Sequence, residues 1–156
     1  DVRHILLMPE NGTTGEDGKI TYSDAELAAA EAEANALLNE WLSKEATEES
    51  FAALAQTHSQ DPGSASNGGL YEDVYKGQMV PEFENWCFDA SRKTGDYGIV
   101  KTTYGYHIMY HVGDGEIAWK INAEDALKAE EYEEYIKELE KKHTVTFDDK
   151  KLSTIP

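Results

Sequence analysis

The amino-acid sequence predicts an α+β domain, in which helices pack on an antiparallel sheet. Residues 2–8, VRHILLM, are apolar at both odd and even positions, as in a strand that is covered on both faces. Two stretches with helix-start signals follow within residues 23–58. A glycine turn then separates two strand-like segments, GDYGIVKT and GYHIMYHV, which end near residue 113. The predicted order is therefore strand, two helices, strand, short helix and two strands.

The composition narrows the classes of function. The chain has 156 residues, which suits one domain with an appendage, and 40% of them are hydrophobic, which is enough for a packed core. The net charge of −17 argues against nucleic acid and anionic membranes as partners, because phosphate binding needs clustered Lys and Arg. Cys87 is the single cysteine, so an internal disulfide and a cysteine-based zinc site are excluded. No apolar run approaches the roughly 18 residues of a membrane-spanning helix.

Each of the first two helices begins at a recognisable cap. Ser23 and Glu26 form a capping box, and the helix that they start runs to about Lys44. Thr47, with two acidic residues after it, starts a second and shorter helix. The predicted apolar face of the first helix consists of Leu27, Ala30, Ala34, Leu37, Leu38 and Trp41.

Loops and a short helix lead to the final strands. Residues 9–22 are rich in Gly and Thr and are predicted to form a loop or an excursion. Residues 59–69 are small, polar and rich in glycine, so they are a predicted long exposed loop, and loops of that kind often carry function. A short strand is expected near Leu70, and Pro81 suits the first turn of a short helix. We interpret Cys87 in that helix as a buried filler and not as a nucleophile. The predicted buried face of the helix consists of Phe83, Trp86, Cys87 and Ala90.

Histidine is an uncommon residue in strands, yet the last predicted strand, TTYGYHIMYHVG, contains two. His107 and His111 share a strand face about 13 Å apart, so a single zinc ion cannot bind both. Taken singly, His4 and His107 are more often structural than functional. We interpret His58 and His143 as structural residues, and His111 as a surface residue at the end of the strand.

Four segments lie within residues 2–112 in this order: VRHILL, FAALAQTHSQDPGSASNGG, GQMVPEFE and VKTTYGYHIMY. Together they resemble the parvulin family of peptidyl-prolyl cis/trans isomerases. The resemblance implies a four-stranded antiparallel sheet surrounded by helices, with an isomerase domain over residues 1–113. It also implies a reaction that needs neither a metal nor another cofactor.

The resemblance assigns site residues as well. The residues that match the family's polar catalytic set are His4, Asp61, Thr102 and His107. The residues that match its pocket for the proline ring are Leu70, Met79 and Phe83. Tyr71 is the alternative to Leu70, because the segment GGLYEDVYKGQM is one residue longer than the usual spacing. Asp61 matches a position that is Cys in some members of the family and Asp in others, which argues against an obligatory thiol nucleophile.

The loop after the first strand bears on specificity. In the phosphate-directed branch of the family this loop carries arginines. Here the matching residues 9–22 contain Glu10, Glu16 and Asp17, and Lys19 is their only base. A specificity for phosphoserine-proline is therefore not expected.

The chemistry that the resemblance implies breaks no bond. Rotation about a peptide C–N bond costs about 18–20 kcal/mol, and X–Pro exchange takes tens to hundreds of seconds unassisted. A catalyst needs an apolar socket for the proline ring and polar groups that favour the twisted amide. A chaperone or peptide-binding module with little isomerase activity is the alternative function, and the complete polar set favours the enzyme.

Residues 114–156 lie outside the resemblance. A linker and a helix from about Ala123 to Lys142 are predicted, with an apolar stripe of Leu127, Tyr132, Tyr135, Ile136 and Leu139. The helix either packs on the domain or belongs to a separate chaperone module, as in secreted and membrane-anchored parvulin foldases. The second interpretation implies an extracytoplasmic protein, membrane-anchored or secreted at full length, of which this chain is a soluble fragment. Its expected partners are proline-containing unfolded or exported polypeptides, and self-association through the helix is a further expectation.

Overall fold

Six strands and four helices are described, within residues 1–14, 18, 20–115 and 118–143 of the computed structural model. In chain order they are β1 (Val2–Leu7), β2 (Thr13–Thr14), β3 (Ile20–Thr21), α1 (Asp24–Leu42), α2 (Glu48–His58), β4 (Leu70–Tyr71), α3 (Pro81–Cys87), β5 (Tyr97–Lys101), β6 (Tyr106–His111) and α4 (Ala118–Lys142). One turn of 3-10 helix, Ala65–Asn67, precedes β4. The chain divides into two compact units, Asp1–Gly115 and Glu116–Pro156.

β1 lies inside a four-stranded antiparallel sheet with the order β4-β1-β6-β5. It pairs with β6 along its whole length, from Val2 opposite His111 to Leu7 opposite Tyr106. β4 adds two residue pairs at the other edge of β1, and β5 completes the sheet beside β6. The predicted α+β class with a four-stranded antiparallel sheet is confirmed, and the first and last strands of the sheet are direct neighbours.

Both faces of the sheet are covered, which explains why β1 is apolar at odd and even positions. Ile5 and Leu7 point to the face that α1 and α2 cover. The indole ring of Trp41 is central to this side, because it makes edge-on contacts with Phe51 and Tyr110. The other buried members of this cluster are Ala30, Ala34, Leu37, Ala55, Tyr106 and Ile108.

The opposite face of the sheet carries a smaller apolar cluster and two of the candidate site residues. Val2 and Met109 pack there against Phe83 of α3. His4 and His107 have the same strand parity as Val2 and Met109, so their side chains point to this face as well. The two histidines therefore lie on the face of the sheet that is turned away from α1 and α2.

The predicted helix caps are confirmed. Ser23 Oγ accepts a hydrogen bond from Glu26 N–H, and the Glu26 carboxylate accepts one from Ser23 N–H at 2.6 Å. Thr47 caps α2 in the same reciprocal way with Ser50. All six predicted residues of the α1 apolar face belong to the first cluster or pack on it.

Residues 9–22, predicted to be a loop or an excursion, contain the short hairpin of β2 and β3. All four strand residues of this hairpin are exposed. Glu16, Asp17 and Lys19, on which the specificity prediction depends, lie outside the described residues.

The short helix α3 ends earlier than its predicted apolar face requires. Its last residue is Cys87, and the Asp89 carboxylate accepts a hydrogen bond from Ser91 N–H in the turn that follows. Ala90 is therefore exposed, and the prediction that it joins the buried face is wrong. Phe83 is buried, whereas Trp86 and Cys87 are half-buried. Burial raises the pKa of the Cys87 thiol to about 11, so this thiol is protonated at neutral pH.

The second unit consists, in its described part, of α4, which begins before the predicted Ala123. In its predicted stripe Leu127, Tyr132 and Tyr135 are exposed, and the two further members are half-buried. Residues 144–156 lie outside the described residues. None of the described helices combines the length and the hydropathy that a bilayer crossing requires.

Candidate active site

Two histidine side chains meet on the second face of the sheet. His4 Nδ1 lies 3.0 Å from His107 Nδ1, and the two rings stack with centroids 5.2 Å apart. Their exposed fractions are 3% and 5%. The strand register brings them together, because it places His107 opposite Leu6 and so diagonally beside His4 on the same face.

Asp61 and Ser64 lie at the other ring nitrogen of His4. Asp61 Oδ2 and Ser64 Oγ are each 3.0 Å from His4 Nε2, and Ser64 Oγ donates a short hydrogen bond of 2.5 Å to Asp61 Oδ2. Tyr71 Oη donates a further hydrogen bond to the same carboxylate oxygen at 3.0 Å. Gly63 N–H donates to Asp61 Oδ1 at 3.3 Å. The carboxylate therefore has donors at both of its oxygens.

Thr102 lies at the far side of the histidine pair, in the turn between β5 and β6. Its Oγ1 is 2.9 Å from His107 Nε2 and accepts a hydrogen bond from Tyr104 N–H at 3.1 Å. Gly105 makes this turn possible, because its φ is +142° and an added Cβ would lie 2.3 Å from Leu7 O.

The hydrogen-bond partners assign the protons in this chain of groups. The Asp61 carboxylate only accepts, so His4 carries its proton on Nε2 and accepts at Nδ1. His107 then donates from Nδ1 to His4, and its Nε2 accepts from the Thr102 hydroxyl. The hydrogen bonds from Thr102 to Asp61 therefore run in one direction through two neutral rings.

The pKa shifts agree with neutral rings beside a charged carboxylate. Burial, together with the neighbouring His4, lowers the pKa of His107 to about 4. Burial also lowers the pKa of His4, and the nearby Asp61 opposes this only in part. Burial alone would raise the pKa of Asp61, but the hydrogen bonds from Ser64 and Gly63, with His4 beside them, outweigh it and lower that pKa to about 2.

A cavity of about 630 Å³ opens beside this polar cluster. The Phe83 ring lines the cavity and contacts both histidines of the polar cluster. It lies edge-on to His4 and His107, with centroid distances of 5.3 and 5.5 Å. The apolar side chains around the cavity are Leu6, Met8, Pro62, Met79, Val80 and Phe83. The polar and aromatic ones are His4, Gln60, Asp61, Tyr71, Gln78, Tyr104 and His107.

The structure brings six of the seven predicted site residues to one place. Thr102 is bound to His107 behind the cavity. Leu70 is not among the lining residues, whereas its alternative Tyr71 is. Neighbouring strand residues point to opposite faces, and Tyr71 pairs with Val2 on the cavity side. The predicted residues that line the cavity are His4, Asp61, Met79, Phe83 and His107.

Two hydrogen-bond partners of Asp61 were not predicted from the sequence: Ser64 and the Tyr71 hydroxyl. Ser64 is fully buried. The segment DPGS contains a signal for Ser64, because Asp61 starts an Asx turn to Gly63 and its carbonyl accepts from Ala65 N–H at 3.0 Å. Such a turn brings the side chain three positions on back to the carboxylate. For the Tyr71 hydroxyl no local signal exists, since its position depends on the sheet register.

The remaining histidines do not join the site. His111 is 6% exposed, so its interpretation as a surface residue is wrong. It is covered because it pairs with Val2 and lies beside the Trp86 ring, at a centroid distance of 6.4 Å. His58 and His143 are exposed. Across the described part of the chain, no group of three or more His, Cys, Asp or Glu side chains is placed to hold a metal ion.

Comparison with known proteins places this site in a family. Residues 1–113 match the family described as the PPIC-type PPIase domain. The foldase protein PrsA of Geobacillus kaustophilus is 50% identical over 62 residues, which cover 39% of this chain and 21% of that protein. The matched segment thus spans about a fifth of that curated relative.

Solved structures extend the likeness along the chain. PrsA from Bacillus subtilis is 26% identical with a TM-score of 0.53, over 97% of this chain and 52% of that one. The PPIase domain of TbPar42 is 23% identical with a TM-score of 0.55, over 71% of this chain and 97% of that one, and this likeness concerns the fold alone. The residues of the polar cluster and the cavity all fall within the matched 1–113. The chain therefore belongs to the PPIC-type, or parvulin-type, family of peptidyl-prolyl cis/trans isomerases.

Proposed function

We propose that the cavity binds the proline ring of an X–Pro segment. We further propose that the polar floor formed by His4, Asp61, Thr102 and His107 favours the twisted amide during isomerisation. One observation carries the proposal: the Phe83 ring contacts both His4 and His107 edge-on. A proline ring that packs on Phe83 has its amide beside the histidine pair. The volume of about 630 Å³ suits a proline with its two neighbours.

The apolar wall acts on the solvation of the amide. A planar amide separates charge by resonance, and water stabilises that charge separation. Rotation about the C–N bond removes the resonance, so a cavity that excludes water favours the twisted amide relative to the planar one. Met79 and Phe83 supply this wall, with Tyr71 in the place that the resemblance gave to Leu70.

The polar floor supplies fixed dipoles and no nucleophile. Thr102 and Asp61 anchor the two ends of the histidine pair, so the rings keep their orientation while the amide rotates. Ser64 lies beside a His and an Asp, but it is fully buried and donates to Asp61, so it is not an attacking group. Lowering the barrier by ~5 kcal/mol would accelerate exchange several thousand-fold.

For the whole protein we propose an extracytoplasmic foldase that acts on proline-containing exported polypeptides, membrane-anchored or secreted at full length. The curated relatives are named foldases. The likeness to PrsA from Bacillus subtilis covers 97% of this chain and about half of that protein. The division of the chain into two compact units supports the view that the second unit is part of a separate chaperone module.

A protease-coupled isomerisation assay on a proline tetrapeptide tests the proposal. Met79→Ala removes part of the apolar wall and is expected to lower kcat/KM by about tenfold, mainly through KM. Leu70→Ala is the matched control, because Leu70 lies near the cavity without lining it, and its kinetics should equal those of the wild type. Peptide binding without any acceleration by the wild-type chain would contradict the proposal and favour the chaperone function.

A further inference from the structure

The loop of residues 59–69, which carries both groups at His4 Nε2, is fastened to β1 at its two ends. At its start, Gln60 N–H donates to Leu6 O at 2.8 Å. At its end, His4 N–H donates to Gly69 O at 2.8 Å. The loop therefore runs beside the stretch of β1 that contains the first catalytic histidine.

Arg3 holds the same end of the loop by its side chain. Arg3 Nη1 donates to the carbonyl oxygens of Asn67 at 3.1 Å and Gly68 at 3.0 Å, and Arg3 Nε donates to the Glu48 carboxylate at 2.9 Å. The side chain is 15% exposed; its bonds to Gly68 and Glu48 are partly buried, and its bond to Asn67 is exposed. Gly68 permits the close approach, since its φ is +68° and an added Cβ would lie 3.0 Å from Arg3 Nη1.

A closed ring of hydrogen bonds connects the end of this loop to the His4 side chain. Gly69 N–H donates to Ser64 O at 2.8 Å, while Gly69 O accepts from His4 N–H. Ser64 Oγ in turn lies 3.0 Å from His4 Nε2 and binds Asp61. Gly69 is packed so tightly, with an added Cβ 2.1 Å from His4 O, that no side chain fits there. Displacement of residues 67–69 therefore moves Ser64 relative to His4.

We propose that Arg3 is a positioning residue of the isomerase: it fixes residues 67–69 and thereby holds Asp61 and Ser64 at His4 Nε2. Arg3 itself is not among the residues that line the cavity. A guanidinium suits this role, because its planar fork serves a carboxylate and two carbonyls together, which a single ammonium does not. The inference rests on the proposed function of the His4–His107 floor.

The variant Glu48→Gln distinguishes the positioning role of Arg3 from a role that only stabilises the fold. If Arg3 served only to pair with Glu48, removing either partner would lower the activity by the same amount. An Arg3 that positions the loop depends instead on its bonds to the carbonyls of Asn67 and Gly68, which Glu48→Gln leaves in place.

The test measures steady-state kinetics and the imidazole ¹⁵N shifts of His4 in the full chain, for the wild type, Arg3→Ala, Arg3→Lys and Glu48→Gln. We expect kcat to fall about three- to tenfold in both Arg3 variants with little change in KM, the size expected for losing one or two hydrogen bonds. The His4 shifts should move from the Nε2–H tautomer towards a mixture of the two tautomers. Glu48→Gln should retain the wild-type kcat and shifts.

Several outcomes would overturn the proposal. One is a folded Arg3→Ala or Arg3→Lys chain with wild-type kcat and wild-type His4 shifts. Another is a Glu48→Gln chain that behaves like Arg3→Ala. Arg3→Lys keeps the stem and the charge, so its failure to fold would identify Arg3 as purely structural. The ¹⁵N shifts need no catalysis, so they decide the positioning role even if the wild type is inactive, which would reject the proposed function: wild-type His4 shifts in the Arg3 variants would then overturn the role of Arg3.

Discussion

His4 on the first strand and His107 on the last strand face each other through their Nδ1 atoms at 3.0 Å, and one ring donates while the other accepts. Loss of either ring therefore leaves the other with an unpaired nitrogen in a buried place. Since Thr102 and Asp61 hold the outer nitrogens, the pair behaves as one unit.

The first prediction concerns this pair. His4→Ala and His107→Ala should each lower kcat/KM by about tenfold or more, and should lower the free energy of unfolding by ~1–3 kcal/mol. The isomerisation assay and urea unfolding measure the two effects. His58→Ala, at an exposed position of α2, is the control and should change neither. Full activity in a folded His107→Ala chain would remove the pair from the mechanism.

The second prediction concerns the stability of the fold at acidic pH. The pKa of His107 is about 4 in the folded chain and about 6.5 in the unfolded chain, so between these values the unfolded state binds the extra proton. The neutral ring therefore contributes stability that is complete above pH ~6.5 and is lost as the pH falls towards ~4, about 3 kcal/mol at most. The lowered pKa values of His4 and His111 act in the same direction. The lowered pKa of Asp61, about 2, acts only at still lower pH.

Urea unfolding at about pH 7, 5.5 and 4 measures this loss. His107→Gln has no titrating ring at that position, so its unfolding free energy should depend less on pH over the same range. An equal pH dependence in this variant and in the wild type would show that His107 is not buried as a neutral ring.

The third prediction concerns phosphate. The described residues around the cavity include no Lys or Arg, and Asp61 is charged. A phosphate before the proline should therefore slow isomerisation, by roughly tenfold at low salt, because Asp61 repels it and none of the described lining residues is a cation that could pair with it. Phosphoserine-proline and serine-proline peptides would be compared, and the difference should shrink in high salt.

A variant gives this comparison its control. Met8 lies at the cavity with 39% of its surface exposed, so Met8→Arg adds a cation there without disturbing the core. The variant should narrow the difference between the two peptides. A wild-type chain that prefers the phosphorylated peptide would show that the charge of residues 9–22 was misinterpreted.

The fourth prediction concerns the second unit. A chain that ends at Gly115 should fold, keep its activity and show no self-association, because the matched family segment ends at residue 113. It retains the bonds from Val112 N–H and Gly113 N–H to Asp1 O. A shorter chain that ends at Tyr110 loses the strand partner of Val2 and is the control that should not fold. Activity and sedimentation of the truncated and full chains would be measured together.

Failure of the Gly115 chain to fold, or loss of its activity, would make α4 an integral part of the isomerase unit. Self-association that persists after the cut would place the contact between copies within residues 1–115.

The elements that could be predicted from the sequence are those with local signals. Ser23 and Thr47 predict the starts of their helices. The apolar residues at both odd and even positions of β1 predict a sheet that is covered on both faces. His111 could not be assigned in this way, and Ser64 only in part. The local turn places Ser64 beside the Asp61 carboxylate, but its contact with His4, 60 residues earlier, is long-range. The burial of His111 depends on Trp86 from another element.

The choice between Leu70 and Tyr71 shows the same limit within a single strand. A shift of one residue exchanges the two faces of a strand, so a pattern that is correct to within one position still leaves the cavity residue open. The register of β4 against β1, with Tyr71 opposite Val2, is a long-range property.

The pairing of the first strand with the last also has a consequence for biogenesis. His4 and His107 are 103 positions apart, so the contact order of the central strand pair is high, and closing so long a loop delays the pairing. A nascent chain presents β1 long before β6 is synthesised, and β4 is also absent when β1 first emerges. Enzymatic competence therefore arises in one late step, and a partly synthesised isomerase exposes an unpaired strand that is itself in need of protection.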